Sequence, residues 1–436
     1  MQTKTMNIVV YTPLIKLGFR DLMNARVLET LDEKFNVYWF VKDFNDKIGF
    51  FTETNTFRLK SSSFRQFIWS FLFELENYLY NNEKIGSRQS FPFLGMGYKQ
   101  IAILKFIIRW HLVRLMRFVL KAILRITVSK PPDFLKSSDL VICFGSSKDF
   151  FFDDIVRMAR RFNKKVMMVS LNWDNATSKP YVEKPDLVLT WGKQTASLST
   201  KLHGIDSQPI GTPRFENYKY IDIFEKSKSR NKLGLKGDFT YVLFAGVGFP
   251  FPEIEVLNRL SEYLDQTDKS NFRILYRPHP YGWKRQNQKE SDLFRKYVLI
   301  DPTLSLFEEN DLDQYRYLFA ACDAFLSAYS TMLVEAALHG LPILAIAFND
   351  GTDKYFDWVN HANVAPHLQI LYENKCIIHC HDLLLLNLAF DNLFEALNTD
   401  SFDKESAKRM ALEIVYLPKA SYSELLNNHI NSLIIN

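Results

Sequence analysis

Two consecutive doubly wound α/β domains are the fold class predicted for this 436-residue chain. The length exceeds what one core ordinarily serves, short apolar runs alternate with helix-period segments, and a lysine-rich polar stretch interrupts that alternation near the middle.

The alternation opens with "NIVVYTPL" (7–14), a glycine-containing loop, the helical-period segment "RDLMNARVLETLDEKF" and then "NVYWFV" (36–41). Strand, helix and strand in that order begin a parallel sheet. "DLVICFGSS" (139–147), "KKVMMVSLNWDN" (164–175), "PDLVLTWG" (185–192) and "SQPIGTP" (207–213) continue it, so residues 1–224 are read as the first domain. "EKSKSRNKLGLKGD" (225–238) is read as the linker. From 239 to 436 a second series follows: "FTYVLFAGVG", "NFRILYRPHP", "YVLIDP", "YLFAACDAFLSAYS", "PILAIAF" and "KCIIHC", closed by a helical tail over 403–435 that could pack back across the first domain.

One block departs from the pattern. Residues 64–128 read as long helices inserted in the first domain, with Lys105, Arg109, Arg114, Arg117, Lys121 and Arg125 recurring every three to five positions and no acidic residue between Lys99 and Asp133. Cations on one stripe with Ile, Leu, Phe and Val around the rest suit an anionic membrane surface contacted through 99–128, or a buried helix whose charged stripe faces water. No recognition motif accompanies the charge, so nucleic acid is not an expected partner.

Composition narrows the class further. Hydrophobic residues make up 47% of the chain and charged residues 24%, which is globular and not disordered, and a net charge of +5 is mild for the length. Aromatic content of 15%, with 37 Phe, fills cores and leaves rings for ligand stacking or a membrane surface. Four cysteines, Cys143, Cys322, Cys376 and Cys380, lie in apolar contexts without framework spacing, as expected of reduced thiols in the cytoplasm. Cys376, His379, Cys380 and His381 crowd together in "CIIHCH". A zinc site needs a second ligand pair that neither Cys143 nor Cys322 brings, so a half-buried strand and no metal are expected. The opening "MQTKTMNIVVYTPL" lacks a basic-then-apolar signal, and no run reaches the roughly 18 apolar residues of a spanning helix. A soluble protein, or one peripheral on the inner face of the cytoplasmic membrane, is the expectation.

In open parallel sheets, ligands bind beyond the carboxyl ends of the strands. Arg277 and His279 in "YRPHPY" fall there, held by two prolines, and a guanidinium fork beside an imidazole suits a phosphate or diphosphate. The other reading is a strand-ending turn with a capped histidine. Ser330 and Thr331 end an apolar run directly before a helix, where hydroxyls and unpaired amides suit an anion, or simply cap the helix. Glu335, one turn further, could accept from ribose hydroxyls, and Gly246 and Gly248 allow the close backbone approach a phosphate needs. The pair of glycines is neither a P-loop nor a GxGxxG fingerprint. In the first domain, Asp174 of "LNWDNATSKP" is the carboxylate best placed to take a proton from an acceptor hydroxyl, with Asp21 the alternative; either could equally close its own turn.

At these residues a family becomes recognisable. "RPHP", "SAYSTMLVEAALHGLPILAIAF", "SLNWDNATSKPYVEKPDLVLTWG" and "IGTPRFE" resemble the bacterial surface-carbohydrate (capsule and lipopolysaccharide) glycosyltransferases of the GT-B fold, relatives of the CDP-glycerol glycerophosphotransferases. The resemblance spans roughly 165–215 and 240–350; where the family has Gly after "TSK", this chain has Pro180. It implies two Rossmann-like domains and a nucleotide-sugar donor held by Arg277, His279, Ser330 and Thr331. Glu335 would hold the ribose, and the Trp173–Asp174–Asn175 loop would face a glycan or lipid-linked glycan acceptor. It implies no cofactor or bound metal, because a helix end and basic side chains can stabilise the leaving nucleotide. A polyol-phosphate transferase, a nucleotide-sugar 2-epimerase and a non-catalytic scaffold are the competing readings.

Overall fold

The structure, a computed structural model, describes residues 6–13, 21–42, 51–52, 54–80, 103, 106–107, 109, 112–223, 225–248, 251–267, 269–279, 296–301, 311–348 and 362–435. The chain divides into two compact units, Met1–Glu216 with Pro418–Asn436, and Asn217–Leu417.

In the first unit, β1 (Asn7–Tyr11), α1 (Val27–Lys34), β2 (Asn36–Val41) and β3 (Thr56–Arg58) come first, followed by two long helices, α2 (Ser63–Tyr80) and α3 (Val113–Ile126). Then come α4 (Asp133–Ser137), β4 (Leu140–Gly145), α5 (Phe150–Arg160), β5 (Lys165–Ser170), β6 (Leu187–Thr190), α6 (Lys193–His203) and β7 (Asp206–Pro209). The seven strands are parallel in the order β3-β2-β1-β4-β5-β6-β7. Alternation along β1 divides the interior: Ile8 and Val10 join a core on one face, Val9 and Tyr11 a core on the other. Burial on both faces explains why "LVICFG" is apolar throughout, while the edge strand "DSQP" can be polar and end in proline.

The second unit contains α7 (Lys226–Lys232), β8 (Thr240–Ala245), α8 (Glu253–Gln266), β9 (Phe272–Arg277), β10 (Val298–Ile300), α9 (Asp311–Ala321), β11 (Ala324–Ala328), α10 (Thr331–Leu338) and β12 (Ile343–Ile346). It ends with α11 (Gln369–Tyr372), β13 (Ile377–Cys380), α12 (Leu386–Thr399) and α13 (Lys404–Ile414). Its sheet is parallel in the order β10-β9-β8-β11-β12-β13, so the winding reverses between β8 and β11.

The boundaries differ from the sequence reading in two places. The stretch 225–238 belongs to the second unit because α7 is anchored there: Lys226 and Arg230 both pair with Asp323, at 2.8 and 2.6 Å. The last helix, α14 (Tyr422–Ile435), counted from sequence with the second domain as a tail that could pack back across the first, groups with the first unit, since Tyr422, Leu426 and Ile430 complete the core around α1 and β4.

The inserted helices are present. α2 and α3 share a small core of Phe71, Leu72, Leu75, Leu120 and Leu124. α2 joins α5 through polar and aromatic contacts, Trp69 packing edge-on to Phe150. Arg65 pairs with the buried Asp154 at 2.6 Å, and Trp69 Nε1 donates to Asp153, whose carboxyl burial pushes up to about 8. Lys105 lies outside the described residues.

Candidate functional site

Register brings the second unit's marked residues to one sheet edge. Ala245 pairs with Arg277 on one side and Ser327 on the other, so Gly246, His279 and Ser330 all lie beyond the carboxyl ends of β8, β9 and β11. These strands flank the winding reversal, the place where doubly wound sheets open a crevice.

The two glycines have a nearer reason than a phosphate. A Cβ on Gly246 would lie 2.5 Å from Glu253 Oε2 and 2.8 Å from the backbone nitrogen of His279. A Cβ on Gly248 would lie 3.1 Å from His279 Cε1. The β8 loop is thus packed directly on the His279 segment, and larger residues there would displace the imidazole.

Glu253 was not singled out from sequence, where it reads only as an acid in the first turn of a helix. It is 1% exposed, accepts from the Val247 amide at 2.8 Å and from the Tyr276 hydroxyl, and burial pushes its carboxyl up to about 7. One carboxylate therefore joins the β8 loop to the end of β9.

Arg277 lies in a buried ion pair. Its Nη1 donates to Asp301, itself 2% exposed, and its guanidinium sits 4.3 Å from the Tyr315 ring centroid. The sequence reading aims this fork at a phosphate; in the structure Asp301 is one of its partners. His279 is half-buried against Gly248.

Ser330 occupies the position before α10 with extended backbone, yet its side chain makes no capping hydrogen bond, and its buried Oγ has no partner among the described residues. A buried hydroxyl without a partner at a helix start is the exception among caps and an opening for a ligand group. Thr331 begins the helix beside it, half-buried. Glu335 is buried and accepts from the Tyr218 hydroxyl, so a ribose would have to share or replace that donor. His339 packs edge-on to Tyr218, and burial together with Arg316 pushes its imidazole down to about 3.

The "CIIHCH" segment forms β13 and its exit. The Tyr329 hydroxyl lies 2.6 Å from His379 Nδ1 and 3.2 Å from His381 Nε2. His379 Nε2 faces the Asn374 carbonyl at 3.0 Å. A carbonyl only accepts, so Nε2 carries the proton and Nδ1 accepts from Tyr329. Burial lowers the pKa of both imidazoles. Among the described residues, no group of three or more metal-ligating side chains occurs.

In the first unit, Asp174 sits in a single helical turn over Trp173–Ala176. Its Oδ2 accepts from Ser178 Oγ at 3.1 Å and faces Lys179 Nζ at 3.4 Å, and its side chain is 38% exposed. The geometry closes its own loop while leaving the carboxylate open to solvent. Asp21 stands at the start of the turn before α1, half-buried, with its carbonyl accepting from the Ala25 amide. Asp149, not singled out as a candidate, is a half-buried carboxylate at this sheet edge: it caps α5 through the Phe151 amide at 2.9 Å and accepts from the Tyr11 hydroxyl at 2.7 Å. Its carboxyl is raised chiefly by burial.

Two parallel, doubly wound units joined in this order have counterparts among solved structures. A glycosyltransferase from Rickettsia africae aligns with a TM-score of 0.52 at 11% identity, covering 100% of this chain and 99% of that one. The fold is GT-B. MnaA of S. aureus, solved with UDP, aligns with a TM-score of 0.52 at 12% identity, over 99% of this chain and 97% of that one. A proposed UDP-N-acetylglucosamine 2-epimerase from Listeria monocytogenes aligns at 0.50 and 10% identity, over 98% and 96% of the two chains. No family model matches the sequence, and no curated protein does either. The likeness among GT-B structures is therefore one of fold.

Proposed function

We infer that this GT-B protein is a glycosyltransferase that moves a sugar from a nucleotide-sugar donor to a hydroxyl of a surface glycan or its lipid-linked precursor. The observation that carries the reading is the Ser330 hydroxyl at the start of α10, unpartnered among the described residues and on the same sheet edge as His279. A helix N-terminus, a hydroxyl and an imidazole together suit a diphosphate. MnaA, of like fold, was solved with UDP, which supports a nucleotide ligand for this fold.

In this reading His279, Ser330 and Thr331 hold the diphosphate, and Glu335 holds the ribose once Tyr218 shares or yields it. Arg277 holds the β9 exit through Asp301 and lends positive charge. Gly246 and Gly248 let the His279 segment pack closely. The first unit supplies the acceptor side, with Asp174 or Asp21 taking the proton as the acceptor oxygen attacks the anomeric carbon and the nucleoside diphosphate departs. Helix end and imidazole stabilise that leaving group without a bound metal. The site of action is the inner face of the cytoplasmic membrane, where a lipid-linked acceptor is met. A polyol phosphate is the other transferable group that the same anion site would accommodate.

Incubation with UDP-, GDP- and CDP-linked sugars and CDP-glycerol, with and without lipid-linked acceptors, tests the reading. Nucleotide release that requires an acceptor supports transfer. Free sugar formed without any acceptor would mean the 2-epimerase reaction, which the Listeria structure's likeness keeps in view. Tight nucleotide binding without turnover would mean a scaffold.

A further inference from the structure

A helix at a protein surface normally turns polar residues outward, and α3 does not. Val113, Leu120 and Leu124 face inward and are buried, as a helix packed on α2 requires. The opposite side carries Leu115, Phe118, Val119 and Ile126, which are 59%, 72%, 38% and 81% exposed. At about 100° per residue, these four form one stripe with Ala122. Arg114, Arg117, Lys121 and Arg125 lie together along one flank of that stripe. Exposed rings also occur on α2. Phe64 and Phe67, 59% and 47% exposed, lie on the first turns of α2. That end of α2 is tied to the chain just after α3, through Arg65 to Ser129 Oγ and Ser129 Oγ to the Lys60 carbonyl, both 3.5 Å.

The cations divide into two groups. Arg117 and Lys121 share Glu76 of α2 at 2.5 and 2.9 Å, so they brace the helix pair. Arg114 and Arg125 are exposed beside the apolar stripe, and Arg109 is exposed upstream of it. A charged stripe that merely faced water would leave no unbroken row of large apolar side chains outside it.

We propose that the α2–α3 pair is a membrane-docking element that inserts Leu115, Phe118 and Ile126, with Phe64 and Phe67, into the headgroup boundary of an anionic bilayer. Charge selects that occupant: the described outer surface of α3 has cations and no acid, and lipid phosphates answer cations while acyl chains accept the rings. No described helix is long and apolar enough to cross the membrane, so the element lies in the interface plane. The joint of α2 to α5, through Arg65–Asp154 and Trp69–Asp153, fixes the inserted face relative to the first unit's sheet. The proposal deepens the transferase reading by giving the means of reaching a lipid-linked acceptor. It also changes the binding mode from a charged stripe resting on lipid to apolar insertion guided by charge.

The test is co-sedimentation of the full chain, without nucleotide, with vesicles of phosphatidylglycerol and phosphatidylethanolamine, and with vesicles of phosphatidylcholine alone. Wild type is expected to bind the anionic vesicles and to keep part of that binding in high salt, where screening removes the electrostatic share. Leu115→Gln with Phe118→Gln is expected to weaken partitioning about tenfold or more. Arg114→Gln with Arg125→Gln should weaken it in low salt and leave the high-salt remainder. All four side chains are outside the core, so an unchanged melting temperature verifies folding. Absence of binding by wild type, or binding unaffected by the Leu115 and Phe118 changes, overturns the proposal. So does a dimer in solution that those changes dissolve, which would make the stripe a contact with a second copy. Since no nucleotide is present, these failures leave the donor site untouched, and a donor-site failure leaves vesicle binding untouched.

Discussion

Replacing Arg277 with methionine is expected to destabilise the second unit by about 3–5 kcal/mol, the usual result of removing one partner of a buried ion pair. Asp301 is 2% exposed and would lose its guanidinium partner in the protein interior. A urea titration reads this as a lower midpoint at unchanged slope. Arg277→Met with Asp301→Leu should recover part of the loss, because replacing both members of a buried ion pair by apolar groups costs less than removing one. The pair of variants separates two roles that the sequence motif runs together. If Arg277→Met keeps full stability and loses only nucleotide affinity, the guanidinium is a ligand group and the ion pair with Asp301 is secondary.

The Glu253 carboxyl should make the stability of the protein fall between about pH 4.5 and 7. Burial raises its pKa from 4.5 to about 7, against the pull of the Tyr276 hydroxyl and the Val247 amide. Below 4.5 the folded and unfolded chains both hold the proton. Between the two values the unfolded chain releases it first, so folding loses stability as pH rises, by about 3 kcal/mol in total, and the loss levels off above 7. Glu253→Gln removes this dependence while keeping an acceptor for Val247 and a partner for Tyr276. The variant's curve should therefore be flatter in that window and lie above wild type at pH 8 by up to about 3 kcal/mol. Two parallel curves would show that Glu253 does not titrate there. The same carboxyl sits against Gly246 and the His279 backbone, so an anion bound at His279 would favour its protonated form, and wild-type nucleotide affinity should fall as pH rises through 7.

Much of the architecture was legible because a parallel sheet buried on both faces imposes continuous apolar runs. "LVICFG", "TYVLFA" and "AFLSA" can hardly be other than interior strands once helical segments separate them. The edge position of Arg277, His279 and Ser330 followed from where those runs stop. What the residues do there was less legible, since partners come from elsewhere in the chain. Asp301 follows Arg277 by 24 positions, and nothing local in "YVLIDP" marks it as a counter-ion. Glu253 looked like a helix-start acid and is a buried brace. The last helix packs back on the first unit, as its amphipathic pattern allowed, but the pattern states only that a face is buried and not against what. For α3 the cationic repeat was visible and the division of its apolar residues into an inner and an outer stripe was not, because α2 decides which is which.

Nucleotide binding by the second unit is the central claim, and calorimetric titration with UDP, GDP, CDP and CMP tests it most directly, on wild type, His279→Ala and Ser330→Ala. One nucleotide should bind wild type and lose about ten- to a hundredfold in affinity to the His279 change, the range of a charge-assisted hydrogen bond, with a smaller loss for Ser330. Binding of none of the four, or binding that both variants retain in full, would contradict the placement of the donor at the ends of β8, β9 and β11.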